Sequence, residues 1–330
     1  MRNDTDIENP GENRIQAEVH RALLEGQVDV ALELLNSILS RDPCNAAARA
    51  RAAQIFLRIG QYLDGQHNLS EAYRAYLRAL VYQPDMGEAQ TRLLEILPAC
   101  LNSDGHRGGL PDSESLNAGG QLVIGIGTGR CGSTSLARLL SMQEDSYVGH
   151  EHPPILPWEC DQSRFEFHCR RLKTMLSVKA FSGDVAHWWL PYLPRLLVQF
   201  PNIRVICMQR ERQATIRSFN NIKGKGKGSA NHWISHDGEY WTRTPWDECY
   251  PKYDVRTRDL ALGLYWDEYY AAAINLAHEY PSNIAIFDIS LLGTISGQER
   301  ILEFCGYSDP VTSVPLTLNK GTIADGIFVA

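Results

Sequence analysis

The sequence predicts an α/β protein, a parallel sheet flanked by helices, preceded by an all-α helical-repeat domain. Three observations lead there. Residues 14–98 are helical in pattern and internally repetitive; residues 99–120 lose all hydrophobic period; from residue 121 on, short β-branched runs alternate with amphipathic stretches. Strands alternating with helices imply parallel pairing with both sheet faces covered.

In the first segment, ALELLNSILSRDP (31–43) and AYRAYLRALVYQP (72–84) run from alanine to proline over the same length. Each precedes a stretch rich in Ala, Arg and Leu. Helix–turn–helix units closed by proline resemble tetratricopeptide repeats. The offset here is 41 residues, against about 34 for that repeat, which points to an insertion around Gln61–His67. Two units fall short of the roughly three that an independent solenoid needs, so the array is expected to pack on the following domain. Residues 99–120 (ACLNSDGHRGGLPDSESLNAGG) read as a linker.

Residues 121–330 form the second predicted domain. QLVIGIG (121–127) reads as a strand and STSLARLLSM as a helix. LSVKAF (176–181) is the second strand, followed by a helical LPYLPRLLVQF. IRVICMQ (203–209) is the third, running into a helical ERQATIRSFNNI. A long helix over 259–280, the strand NIAIFDI (283–289) and the helical GQERILEFCGY complete the alternation. Ligands of such sheets lie at the carboxyl ends of the strands.

With 330 residues, 44 % hydrophobic and 22 % charged, the chain is an ordinary globular composition with room for two domains. No apolar run approaches the ~20 residues of a membrane span. The opening MRNDTDIENPGENR is polar, with no stretch suited to a signal peptide, so a cytoplasmic protein is expected. Eight scattered cysteines without a CxxC pair suggest reduced thiols rather than a metal or disulfide framework. The net charge of −7 argues against nucleic acid as partner. Residues 201–258 nevertheless carry eleven Lys/Arg against six Asp/Glu, a local excess suited to a compact anion.

The segment Gly127-Thr-Gly-Arg-Cys-Gly-Ser-Thr-Ser135 joins a predicted strand to a predicted helix. Its glycines let the backbone wrap an anion, and a helix N-terminus offers free N–H groups and a positive dipole end. Gly127 and Gly132 have the spacing of a nucleoside-triphosphate loop, but Ser133 stands where its lysine belongs, and the cation comes earlier, at Arg130. A kinase or GTPase is therefore the weaker alternative.

This GRCGSTSL stretch resembles the 5′-phosphosulfate loop of sulfotransferases that use 3′-phosphoadenosine 5′-phosphosulfate (PAPS), which implies a P-loop-type fold. Gly129, Arg130, Cys131, Gly132, Ser133, Thr134 and Ser135 are the implied donor-binding residues, with Cys131 in place of a usual serine. A second match follows. RVICMQRERQATIRSF is similar to the family's strand ending in arginine, with a serine eight residues on; Arg210 and Ser218 are the implied grip on the 3′-phosphate. A guanidinium at a strand end suits bidentate phosphate pairing. Glu211-Arg212 departs from the family's common Asp-Pro. Asn319, Lys320 and Gly321 resemble a late segment that closes over the same phosphate. The resemblance spans about residues 121–322.

Sulfuryl transfer needs a base for the acceptor hydroxyl and cations for the departing oxygen; no metal is called for. Glu151 lies twenty-one residues after Arg130, the offset of the proposed base in tyrosylprotein sulfotransferases. His150 and His152 flank it, and His152 is the alternative base. Lys179 is implied as the second cation beside Arg130. Asp184 and His187 follow Lys179 closely and are candidates for supporting contacts. The mobile-looking KGKGKGSANHWISHDGEYW (223–241) suits either a lid or a solvated loop, and Trp233, Tyr240, Trp241 and Trp246 either an acceptor wall or core. The resemblance implies PAPS as donor, 3′,5′-ADP as product, and a hydroxyl acceptor on a peptide tyrosine, carbohydrate or lipid. A repeat segment offers a groove for a peptide or protein partner. The alternative is a repeat-based scaffold with a degenerate nucleotide fold.

Overall fold

The structure is a computed structural model that describes residues 10–103, 120–222, 228–229, 232–234, 241–242 and 244–314. Five helices come first: α1 (Pro10–Leu24), α2 (Val28–Leu39), α3 (Ala46–Gly65), α4 (Leu69–Tyr82) and α5 (Gly87–Ser103). Each packs on its chain neighbours. Ala31 of α2 and Ala72 of α4, equivalent under the 41-residue offset, are both fully buried. Small residues there let successive helices approach closely. The predicted insertion is mostly extra helix rather than loop, because α3 continues through Gly65. Residues 99–103 likewise finish α5 instead of opening the linker, since Cys100 and Leu101 are buried. The rest of the predicted linker, 104–119, lies outside the described residues.

The α/β part runs β1 (Gln121–Ile126), α6 (Ser133–Ser141), β2 (Ser146–His150), α7 (Gln162–Leu176), β3 (Phe181–Val185), α8 (Leu193–Gln199), β4 (Arg204–Gln209), α9 (Arg212–Ile222), β5 (Gly228–Ser229), β6 (Trp241–Thr242), α10 (Arg258–Glu279), β7 (Ile284–Asp288) and α11 (Ile295–Cys305). Five strands form an all-parallel sheet in the order β2-β3-β1-β4-β7. Alternate residues of β1 point to opposite faces, as the pleat requires. Val123 joins Leu136, Leu139 and Leu140 of α6 and Ile301 of α11, whereas Leu122 and Ile124 join Phe165 of α7 and Tyr269 of α10. That second core also contains Leu93 and Leu97 of α5 and Tyr76 of α4, so the helical segment and the sheet share one continuous apolar interior.

Two strands differ from expectation. Leu176 ends α7, and the strand lies five residues later, at Phe181–Val185. FSGDV has little β-character of its own. Gly183 is needed because a Cβ there would run into the Val123 carbonyl, and Asp184 tolerates full burial because it is hydrogen-bonded. The edge strand β2, SYVGH, has one fully buried residue, Val148, and so no hydrophobic run to announce it. Among the described residues no helix is long and apolar enough to cross a membrane.

Candidate active site

From β1 the chain turns to β2 and β3 on one side of the sheet, then crosses to β4 and β7 on the other. Such a reversal opens a crevice beyond the carboxyl end of the first strand, where open α/β sheets bind ligands. The glycine-rich loop sits there. Gly127 (φ 149°), Gly129 (φ 79°) and Gly132 (φ 90°) occupy backbone regions that favour glycine, and Arg130 (φ 58°) is held there despite its side chain. A Cβ on Gly127 would collide with Cys131 and come within 2.6 Å of the Met208 carbonyl.

α6 starts at Ser133 with Gly132 as its cap and no side-chain cap bond; its first backbone bond is Leu136 N–H to Gly132 O, 2.9 Å. The amides of residues 133–135 are therefore left for other partners. Not all the predicted donor-binding side chains face this end. Cys131 is fully buried in the core, where burial pushes its thiol up to about 11, so only its backbone can serve an anion. Ser135 is buried as well.

Three tyrosines of α10, none singled out in the sequence, brace this loop. The Tyr269 hydroxyl accepts from Gly127 N–H at 3.0 Å and donates to the His187 carbonyl at 2.9 Å. Tyr265 donates to Thr128 O (3.1 Å) and Tyr270 to Met208 O (2.8 Å). Tyr265 and Tyr269 stand one helical turn apart, with Tyr270 beside them, but only the fold aims them at the loop.

The two predicted arginines meet. Arg130 Nε donates to Ser218 Oγ at 3.3 Å, and Arg210 Nη1 to the Arg130 carbonyl at 3.0 Å. Among the described residues no ion pair takes either guanidinium, so two cations face the crevice without a carboxylate. Burial and, after it, the Arg210 charge push the Arg130 pKa down, outweighing the opposite pull of Glu151. Glu211 and Arg212 have structural work: the Glu211 carboxylate accepts from Gln213 N–H (2.7 Å) and Ala214 N–H (2.6 Å) at the start of α9, and Arg212 forks onto Asp267 at 2.9 Å twice.

Glu151 follows β2, again at a carboxyl end, in the left-handed region (φ 53°) and with its N–H bonded to Val185 O at 3.1 Å. Its oxygens lie 3.7 Å from His187 Nδ1 and 4.0 Å from His150 Nδ1. Burial alone would raise the carboxyl, but the His187 contact and the His150 and His187 charges outweigh it and hold it below the ordinary value. His150 Nε2 lies 3.0 Å from Ser133 Oγ, tying this turn to the first residue of α6.

Beneath Glu151 lies a buried polar cluster. Asp184 Oδ1 is 3.3 Å from both the His152 amide and its Nδ1, while Oδ2 accepts from Trp189 Nε1 at 3.0 Å. From α7, Arg171 donates to Pro153 O (3.0 Å) and His168 to Pro154 O (2.7 Å). His152 is thus a buried part of the turn's foundation, and burial, then the Arg171 charge, lowers its pKa. Of the two base candidates, Glu151 is the one that faces the loop.

Lys179 is not brought to the site. It precedes β3, at the amino end of the sheet, with its Nζ 3.6 Å from Asp145. The strand shift noted above is the reason: the residue at the carboxyl end of this strand is Val185, followed closely by His187. His187 is buried, stacks on Tyr250 with centroids 4.3 Å apart, and has Nε2 3.2 Å from Cys249 Sγ. Trp233 donates to Val255 O and Trp246 packs beside Trp188, so both are tied into the interior. Asn319, Lys320, Gly321, Tyr240 and the lysines at 223–227 lie outside the described residues. Among the described residues no cluster of three or more His, Cys, Asp or Glu could hold a metal. No protein-family model matches the chain, and neither does any curated protein.

Proposed function

We propose that the chain is a PAPS-dependent sulfotransferase acting on a hydroxyl acceptor. The observation that carries this reading is the meeting of Arg130, Ser218 and Arg210 around the uncapped start of α6, with Glu151 just past the end of β2. One guanidinium beside a phosphate loop is common; two without an ion-pair partner among the described residues, joined through the Arg130 carbonyl and with Ser218 on one of them, suit a nucleotide with two separate anionic groups. These residues fit the donor: the loop amides, Ser133, Thr134 and Arg130 would hold its 5′ end, and Arg210 with Ser218 its 3′-phosphate. When bound, the donor supplies an activated sulfuryl group on a phosphosulfate anhydride.

The chain's own residues then have distinct tasks. Glu151, ionised and fixed by its backbone bond to Val185, accepts the acceptor's hydroxyl proton. Arg130 and the α6 N-terminus stabilise charge on the departing oxygen. His187, buried beside Glu151, confines the carboxylate to one orientation. The five leading helices are read as tetratricopeptide-like repeats offering a groove to a peptide or protein, in a cytoplasmic enzyme.

Calorimetry with 3′,5′-ADP against ATP and Mg²⁺ tests the reading. Tight, metal-independent binding of 3′,5′-ADP is expected. A preference for ATP with Mg²⁺ makes the chain a nucleotide kinase, and no heat with either makes it a scaffold.

A further inference from the structure

His150 is the residue that no part of this mechanism has used, yet it touches both halves of the site. Its Nε2 lies 3.0 Å from Ser133 Oγ on the donor side, and its Nδ1 faces Glu151 Oε2 at 4.0 Å on the acceptor side. The ring is 29 % exposed, whereas His187, on the other flank of Glu151, is 1 % exposed. Of the two imidazoles beside the base, only His150 has a path to water.

We propose that His150 is the proton carrier that regenerates Glu151 after each turnover. The proposal rests on Glu151 being the base of the reaction proposed above. As the acceptor oxygen bonds to sulfur and the sulfur–phosphate oxygen bond breaks, the hydroxyl proton passes to a Glu151 carboxylate oxygen. The neutral His150 ring, its Nε2–H donated to Ser133 Oγ, has its Nδ1 lone pair toward Glu151. That nitrogen takes the proton from the carboxylic acid, leaving carboxylate and imidazolium. The imidazolium then releases one proton to solvent from its exposed edge. No electrons are exchanged, and the proton count closes over the cycle.

The surroundings favour this direction. The titratable groups beside the ring are Glu151 and His152 on its own segment, and Asp184 of β3 and His187 just after it lie against those two. Asp184 is engaged with His152 and Trp189. An imidazolium at position 150 therefore finds its counter-ion in Glu151. Because His150 acts through Glu151 and Ser133, it is a positioning residue rather than one that touches the reacting atoms.

The variant His150→Gln keeps a donor in reach of Ser133 and removes the titratable nitrogen. Three measurements separate the outcomes. Calorimetry should give the same 3′,5′-ADP affinity in wild type and variant. Steady-state kinetics should give turnover lower by about 10–100-fold with little change in KM, and partial recovery when imidazole is added. Histidine-selective nitrogen NMR on the unliganded wild-type protein should find the His150 ring in its Nε2–H tautomer. Wild-type turnover and pH profile in His150→Gln, or an Nδ1–H tautomer in the resting protein, overturn the carrier role while leaving the sulfotransferase reading intact. A wild-type protein that binds no 3′,5′-ADP overturns the reading itself, and with it the need for a carrier.

Discussion

Glu151 sits in a backbone region that non-glycine residues seldom occupy, and so does Arg130. Each such placement costs on the order of 1 kcal/mol and persists only where the surroundings enforce it. Here the Val185 carbonyl and the His152–Asp184 contact enforce the first, and the Arg210 bond to the Arg130 carbonyl enforces the second. Glu151→Gln should leave 3′,5′-ADP affinity unchanged and cut turnover by about 10²–10⁴-fold, checked by calorimetry and steady-state rates. Because His187 and His150 hold the carboxyl below its ordinary 4.5, the acidic limb of the wild-type pH–rate profile should fall below that value. Arg210→Ala removes a charged donor and loosens Arg130 together; affinity for 3′,5′-ADP should weaken by about 10–100-fold, measured by titration. Unchanged affinity removes Arg210 from the nucleotide site.

At the scale of elements, β2, β3 and α7 are joined by a buried polar cluster rather than by apolar packing alone. Burial would raise the Asp184 carboxyl, but its His152 and Trp189 hydrogen bonds and the His152 and Arg171 charges overbalance it, so it titrates well below the usual range. His168 is driven the other way: burial, then the Arg171 charge, lowers it to about 3. The unfolded chain therefore binds more protons than the folded one between about 6.5 and 3, and stability must fall as pH falls through that window. The slope is up to about 1.4 kcal/mol per pH unit for one such group. Depressed Asp184 adds a loss of the same sign at lower pH, since its stabilisation is present above its unfolded value and disappears as pH drops toward its folded one. Urea unfolding at pH 7 and pH 5 should give a clearly lower midpoint at pH 5, and the difference should shrink in His168→Leu. Equal midpoints for wild type at both values contradict a neutral buried His168.

Across the whole molecule, the apolar interior does not stop at the predicted domain boundary. Leu93 of α5 is fully buried in the same core as Leu122, Phe165 and Tyr269. Leu93→Ala should cost about 2–5 kcal/mol, and thermal unfolding followed by near-ultraviolet dichroism should move as one transition in which helical segment and sheet melt together. Far- and near-ultraviolet signals of the variant that melt at different temperatures separate the two parts. α4 and α5 thus bury their apolar faces in the same interior as the sheet.

How much of this was legible in the chain itself varies with the kind of signal. β1, β4 and β7 are apolar runs, and the loop at 127–135 is set by spaced glycines, a cation and hydroxyls, so local chemistry named them. Arg210 and Ser218, at a strand end and on a helix face eight residues apart, were marked by the resemblance, but only the fold brings them to Arg130. β3 was displaced because FSGDV carries a glycine and an acid in place of apolar residues, and that displacement misplaced Lys179. Cys131 turning inward, the α10 tyrosines bracing the loop, and Asp184 beneath Glu151 all depend on which strand lies beside which. Sequence alone determined the alternation of elements and the glycine-rich loop at 127–135, because both are written in short-range pattern. Tertiary structure decided which cation, which carboxylate and which imidazole share the crevice, because strand order and register bring together residues dozens of positions apart, and no local preference encodes that distance.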